Sequence, residues 1–193
     1  MSLQTWQETL ITSNVDGAAL SNSTTPTSIL GGTGTGASQA KLTLPANFFY
    51  IGRMIKITAD GRISTVVTTP GTLTLDIRFG SVIVANGGAM ALNVVAKTNV
   101  PWILEWRMTC RAIGSGTTSN MMHQGQWTSE AVIGSPLPSA GGAGTHLLPN
   151  AAPAVGTGFD STAAQTIDLF GTWSVANAAN SITLHQYKIE ALN

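Results

Sequence analysis

The residues that could hold a metal or act as a nucleophile are few and widely separated. The three histidines are His123, His146 and His185, and none has metal-ligand spacing to another or to the single cysteine, Cys110. Cys110 falls on the apolar side of an alternating stretch, which indicates a core residue. No Gly-x-Ser-x-Gly segment supplies a hydrolase serine. We therefore expect neither a metal site nor covalent catalysis.

Glycoside hydrolysis is the remaining chemistry to weigh, and it needs two suitably placed carboxylates. Asp76, Glu105 and Asp168 lie on the polar faces of predicted strands, which also carry arginines such as Arg78 and Arg107. Cross-strand ion pairing is the commoner role of acids in such positions. We expect ion pairs here and no enzymatic activity, although the sequence leaves a carboxylate pair open.

A glycine-rich run at residues 31–36 is the one segment that could suggest a phosphate-binding loop. It reads Gly-Gly-Thr-Gly-Thr-Gly and lacks the Gly-Lys-Ser/Thr ending of a P-loop. No predicted strand and helix flank it. We expect a linker at this position and no cofactor of any kind.

The composition is unusual in its scarcity of charge. Of 193 residues, 43% are hydrophobic, 9% are charged and the net charge is zero, whereas an average soluble domain has about 25% charged residues. Interface cores are depleted in charge, so much of this surface is expected to be covered by other subunits. A secreted, neutral β protein is the alternative interpretation.

The partners that composition disfavours are nucleic acids and membranes. No cluster of Lys and Arg is present to bind phosphates, and no apolar run is long enough to span a bilayer. The first residues lack a basic segment followed by an apolar one, so we expect synthesis in a cytoplasm without a secretory signal.

Alternating residues predict an all-β protein with about seven or eight strands. The clearest is Thr72–Phe79, where an apolar residue alternates with Thr, Asp or Arg. Other strands are predicted at 101–112, 120–129, 166–175 and 181–192. The strand at 181–192 is expected to contain a bulge or to have both faces covered. Residues 49–67 are expected to form one bent strand or two strands. Trp102, Trp106, Trp127 and Trp173 are expected in the core. Short connections favour an antiparallel two-sheet sandwich, and a jelly roll is the leading topology.

Two segments lack this alternating pattern and predict the domain organisation. Residues 1–40 are expected to form an N-terminal arm and Gly-rich linker, and residues 41–193 a β-sandwich with a long Gly/Ala/Pro loop at 134–158. Both segments are expected to lie across neighbouring subunits, so that deleting residues 1–30 would leave a folded sandwich. The expected assembly contacts are their apolar residues, Trp6, Leu10, Ile11, Leu147 and Leu148.

Several runs of the chain resemble small structural proteins of tailed phages and prophages. The resemblance rests on residues 158–170 (Gly-Phe-Asp-Ser-Thr-Ala-Ala-Gln-Thr-Ile-Asp-Leu-Phe), 172–174 (Thr-Trp-Ser), 180–187 (Asn-Ser-Ile-Thr-Leu-His-Gln-Tyr) and 69–80 (Thr-Pro-Gly-Thr-Leu-Thr-Leu-Asp-Ile-Arg-Phe-Gly). It covers roughly residues 41–193 and implies a jelly-roll subunit, usually trimeric.

The role implied by this resemblance is structural. A homotrimeric capsid decoration (cement) protein would bind the major capsid protein on the outer surface of the head and stabilise the shell by added contacts. The alternative is a tail or head-fibre protein that binds a host-surface glycan. The resemblance brings no catalytic residues.

Overall fold

The computed structural model of the chain describes residues 6–30, 41–131 and 144–192. These residues form two antiparallel sheets packed as a sandwich, without any helix, as the sequence predicts. The strands are β1 (Gln7–Thr12), β2 (Leu20–Ser21), β3 (Thr27–Ser28), β4 (Leu42–Leu44), β5 (Met54–Thr65), β6 (Thr72–Phe79), β7 (Val82–Ala91), β8 (Lys97–Ala112), β9 (Asn120–Ser129), β10 (Thr145–Leu148), β11 (Gln165–Trp173) and β12 (Ser181–Leu192).

The larger sheet has the order β1-β12-β5-β8-β9-β10, with β2 also paired to β12. The smaller sheet has the order β3-β11-β6-β7, with β4 also paired to β11. Within the described part of the chain every strand pairing is antiparallel. The finer expectation of a jelly-roll topology stays a prediction.

The core lies between the two sheets and is lined by alternate residues of each long strand. In β6 the four apolar residues are buried, as the alternation predicts: Leu73, Leu75, Ile77 and Phe79. The four tryptophans expected in the core are all at most 1% exposed. Near one end, Phe79 stacks on Phe49 at 5.4 Å and meets Phe159 edge-on at 4.9 Å between ring centroids. These large side chains supply most of the hydrophobic stabilisation.

The region expected to hold one bent strand or two forms the single strand β5, which crosses Asp60 and Gly61 without a turn. The irregularity is in the neighbouring β12, where Leu184 pairs with Gly61 and Gln186 with Asp60, so His185 is the extra residue of a bulge. A Cβ on Gly61 would lie 2.0 Å from a backbone oxygen of β12. Glycine is therefore required where the bulged strand approaches β5.

The described part of the expected arm differs from the prediction for residues 1–40, because it is built into the sandwich. β1 and β2 pair with β12, and β3 pairs with β11. Leu20, Ile29 and Leu30 are buried, and the Trp173 indole donates a hydrogen bond to the Leu20 carbonyl at 3.1 Å. These strands are too short to show alternation, and their partners lie at the far end of the chain.

Part of the loop expected at 134–158 is likewise held by its own domain. β10 pairs with β9, and the Asn150 side chain donates to the Ala89 carbonyl at 2.8 Å along the edge of β7. Val155 returns to β9 through a bridge with Met122. The glycine run at residues 31–36 and residues 134–143 of this loop lie outside the described residues.

Candidate assembly surface

The five residues expected to make assembly contacts lie in two places, and one of them is buried. Trp6 precedes β1 and is 58% exposed, whereas Leu10 and Ile11 are partly buried against the core. Leu147 on β10 is 47% exposed. Leu148 has no exposed surface, so its assignment as an assembly contact was wrong. Neighbours in a strand point to opposite faces, and Leu148 takes the inner one.

The structure places these two groups at opposite edges of the larger sheet. β1 is the first strand of the six-strand path and β10 is the last. One row of paired residues crosses the whole path: Ile11, Ile189, Ile57, Trp106, Gly125 and Leu148. The next row, on the outer face, runs from Thr12 to Leu147 through Lys188, Thr58, Glu105 and Gln126. Local sequence patterns do not reveal that the two segments share rows.

A group of valines at one end of the sandwich was not anticipated. Val67 follows β5, and Val94 and Val95 precede β8, and these three side chains are 55–61% exposed. The Thr68 amide donates to the Val94 carbonyl at 2.8 Å, which holds the two loops side by side. We call these three residues the valine patch. The adjacent Val94-Val95 pair within a polar loop was the available sequence signal.

A second apolar group lies at the opposite end of the same two strands. Tyr50 and Ile51 precede β5 and Ile113 follows β8, with exposures of 46%, 66% and 47%. Arg53 braces this end, because its guanidinium lies 3.7 Å from the centre of the Phe48 ring and donates to the Phe48 carbonyl at 2.7 Å. We call Tyr50, Ile51 and Ile113 the Tyr50 patch. Both ends of the sandwich therefore expose apolar side chains.

The acids weighed for catalysis are engaged in ion pairs. Asp76 is 3% exposed and pairs with Arg78 of the same strand at 2.6 Å. The Arg78 guanidinium lies 4.0 Å from the centre of the Phe170 ring on β11. Asp76 was expected to pair with an arginine on another strand. Its partner is instead Arg78, two residues further along the same face of β6.

The other two acids have lysine partners. Asp168 pairs with Lys41 at 2.8 Å and accepts a hydrogen bond from the Ser28 hydroxyl at 2.6 Å. Glu105 pairs with Lys56 of β5 at 3.3 Å. Each carboxylate weighed for hydrolysis therefore already has a cation beside it. This arrangement favours strand cohesion rather than proton transfer.

The histidines occupy three different environments. His123 is 5% exposed, and the Trp106 indole donates to its Nδ1 at 3.3 Å. Burial lowers the pKa of His123 below its ordinary value. His185, in the bulge, lies 2.9 Å from the Asp16 carboxylate. His146 on β10 is 5% exposed.

Cys110 lies in the core, as its position in the alternation predicts, and is 1% exposed. Burial raises the pKa of its thiol, which opposes thiolate formation. Within residues 6–30, 41–131 and 144–192, no group of three His, Cys, Asp or Glu side chains could hold a metal ion. No helix in this part of the chain is long and apolar enough to cross a membrane.

The outer face of the larger sheet carries a shallow hollow near β10. Its volume is about 170 Å³, and it is lined by Glu105, Arg107, Gln124, Gln126 and Leu147 with the Gly125 backbone. Amide, carboxylate and guanidinium groups of this kind can donate and accept hydrogen bonds to a polar ligand. No aromatic side chain lines it.

Comparison with known proteins gives weak similarity to solved structures alone. No protein family and no curated protein matches the chain. Among solved structures, it is similar to the CBM2 module of Lactobacillus casei BL23 phage J-1 evolved Dit, with 11% sequence identity and a TM-score of 0.32. The similarity covers 79% of this chain and 68% of that chain. The two-sheet architecture therefore stands on the strand pairing of this chain.

Proposed function

We propose that the chain is a structural subunit of a phage virion, and that it acts as a capsid decoration protein on the head surface. The observation that carries this proposal is the exposure of apolar side chains at both ends of a rigid sandwich whose chain has only 9% charged residues. Exposed apolar patches rimmed by polar residues mark interaction sites. The sequence resemblance to phage structural proteins supplies the kind of assembly.

The valine patch is the surface that we assign to the major capsid protein. Its three side chains are short, β-branched and uncharged, and stiff side chains lose little conformational entropy when they are buried. The Tyr50 patch contains a phenol hydroxyl and lies beside the charged Arg53, so covering it would require the desolvation of more polar groups. In the proposed arrangement the valine patch faces the shell, and the homotrimer stabilises the shell by mass action.

The location and copy number of the chain in purified particles test this function. We expect quantitative mass spectrometry to give hundreds of copies per virion and immunogold labelling to mark heads. Labelling confined to tails or fibres, or a few dozen copies, would contradict a decoration role while leaving a virion role intact. Absence of the chain from purified particles would contradict both.

Charged substitutions test the orientation. In a Val94→Asp/Val95→Asp variant we expect loss of binding to undecorated shells, because an unpaired carboxylate would be buried at the contact. The matched control is Ile51→Asp/Ile113→Asp, at the opposite end, which should bind like the unaltered chain. Circular dichroism establishes that both variants are folded. If only the control loses binding, the orientation is wrong, and if neither does, these end patches are not the shell contact.

The alternative is a tail or head-fibre protein that binds a host-surface glycan, and one observation favours it. The hollow beside Arg107 presents a carboxylate and two amides, which suit sugar hydroxyls. Screening against a glycan array tests it directly. Binding that disappears in an Arg107→Ala/Gln126→Ala variant would favour this role, whereas absence of binding across the array would favour the decoration role.

We also propose that the chain is not an enzyme. The ion pairs of Asp76, Glu105 and Asp168 support this, because a carboxylate held by a neighbouring cation is a poor general acid. Turnover of host polysaccharide that is lost in an Asp76→Asn or Asp168→Asn variant would overturn the proposal.

A further inference from the structure

The two edges of the larger sheet are both open within the described residues, and they run in opposite directions. Four strands lie between β1 and β10, and all neighbours in the path are antiparallel, so β1 and β10 point in opposite directions. A second copy rotated about an axis along the strands would therefore bring its β1 antiparallel to β10. Open edges present unpaired N–H and C=O groups that accept such a strand.

The side-chain pattern continues across this junction. The inward row that begins at Ile11 ends at Leu148, and the outward row that begins at Thr12 ends at Leu147. If a neighbour's β1 followed β10 in the same rows, Ile11 would lie beside Leu148 on the core side and Thr12 beside Leu147 on the outer side. No residue would have to change face.

Charge and composition are compatible with this pairing. β1 contains one charged residue, Glu8, and β10 and residues 149–157 contain none, so no like charges oppose one another. Natural edge strands are commonly protected by Lys or Pro. Neither β1 nor β10 contains either residue, and the first proline beyond β10 is Pro149, directly after its last residue.

A hollow with both apolar and polar lining residues lies beside this junction. It has a volume of about 320 Å³ and is formed where the chain leaves β10 and returns to β9. Its lining includes the apolar residues Ile83, Pro149, Ala152 and Val155 and the polar residues Asn86, His123 and Thr157. Continuing the rows backwards from Ile11 brings Trp6 beside this loop. Trp6 is the most exposed aromatic side chain described, and tryptophans that fill pockets are frequent interface hot spots.

We propose that copies of the chain join head to tail, with β10 of one copy pairing with β1 of the next and Trp6 of the next copy seated in this hollow. This inference rests on the proposed function, because the copies that join are the subunits of the proposed homotrimer. A head-to-tail interface closes into a ring when its rotation closes. Each copy then uses both edges, and the trimer leaves none of these edges open.

Disulfide trapping tests the pairing. The native Cys110 is buried, so the disulfides formed on oxidation involve the introduced cysteines. In a Thr12→Cys/Leu147→Cys variant we expect oxidation to give covalent trimers on a non-reducing gel. The two positions of one copy lie five strand spacings apart, about 24 Å, which is too far for an intrachain disulfide. Thr12→Cys alone and Leu147→Cys alone should stay uncrosslinked.

The outcomes separate this inference from the proposed function. Dimers formed by Thr12→Cys alone would mean that β1 pairs with β1, which overturns the head-to-tail arrangement. Light scattering that gives a trimer without crosslinks in the double variant would also overturn it, while the trimer itself stands. A monomer at all concentrations would contradict both the interface and the homotrimer.

The role of Trp6 is measured separately. In a Trp6→Ala variant we expect subunit affinity to fall roughly thirtyfold, the loss typical of a hot-spot side chain. Ile51→Ala is the matched control, since Ile51 is 66% exposed but lies away from both edges. Equal affinities for the two variants would show that Trp6 does not occupy the hollow.

Discussion

Ile11 and Leu148 end the same row of paired residues at opposite edges of the larger sheet, yet their burial differs. Leu148 has no exposed surface, whereas Ile11 is only partly buried. Leu148 is covered by the smaller sheet, since its Cδ2 atom lies 2.9 Å from where a Cβ on Gly87 of β7 would be. Leu148 is thus covered by the smaller sheet of its own copy before any neighbour is added, whereas Ile11 keeps part of its surface exposed.

The contrast between Leu148 and its neighbour Leu147 gives a stability test. Leu148→Ala should lower the free energy of unfolding by about 2–5 kcal/mol, because it removes buried methyl groups and leaves a cavity. Leu147→Ala, at an exposed position, should change it by less than about 0.5 kcal/mol. Denaturant unfolding of the monomeric protein measures both. Similar losses in the two variants would contradict the assigned faces of β10.

Gly61 gives a test of the bulge in β12. Gly61→Ala should lower the free energy of unfolding by roughly 2 kcal/mol or more, because the added methyl group would overlap the Thr183 carbonyl and force the strands apart. The control is Gly80→Ala, where φ is +58° but nothing lies near the added atom. It should cost about 1 kcal/mol. Thermal unfolding ranks the two, and a smaller loss at Gly61 would contradict the close approach.

Deletion of residues 1–30 should prevent folding, contrary to what the sequence predicts for an arm. The deletion removes Leu20, Ile29 and Leu30 from the core and leaves the edges of β11 and β12 unpaired. We expect aggregation and loss of the near-ultraviolet circular dichroism of the buried tryptophans. Deletion of residues 1–5 alone is the control and should leave the fold intact. A soluble, cooperatively unfolding protein that lacks residues 1–30 would contradict the structure.

His123 gives a prediction of pH dependence. Its folded pKa is lowered by burial, so below about pH 6.5 the unfolded chain takes up a proton before the folded protein does. Stability should therefore fall as the pH is lowered through this range, by up to about 1.4 kcal/mol per pH unit. Protonation would also place an N–H at Nδ1 against the Trp106 donor.

The measurement is the unfolding temperature between about pH 7.5 and 5.5, a window above the range in which carboxylates with lowered pKa values lose stability. Glu190 and Asp160 are such carboxylates. His123→Gln retains an acceptor for the Trp106 indole but does not titrate, so its unfolding temperature should be flat across the window. If the unfolding temperature of this variant still falls as the pH is lowered, a group other than His123 is responsible.

Local alternation predicted the strands whose apolar residues all face one core. β6, β9 and β12 begin and end at the predicted residues, and the predicted irregularity in β12 is the bulge at His185. Alternation failed where strands are two to six residues long, as in β1, β2 and β3. Their stability comes from partners distant in sequence, which local periodicity cannot reveal.

For the acids and the expected contact residues too, local sequence predicted some features, whereas others depend on residues distant in sequence. The polar face of β6 was predicted, but not the burial of Asp76, which pairs with Arg78 on its own strand and lies opposite Phe170 of β11. Trp6 and Leu147 were expected to be assembly contacts, and both are exposed. Their placement at the two ends of one sheet follows from strand order, which emerges only when non-local pairs form.

The position of β12 between β1 and β5 has a consequence for biosynthesis, because all of β6 to β11 is translated before β12. Until β12 emerges, one edge of β5 is unpaired, and β1 lacks the strand it pairs with among the described residues. A nascent chain in this state exposes two unpaired strand edges, which can pair with other chains. Its yield should therefore depend on chaperone supply while β12 is being translated.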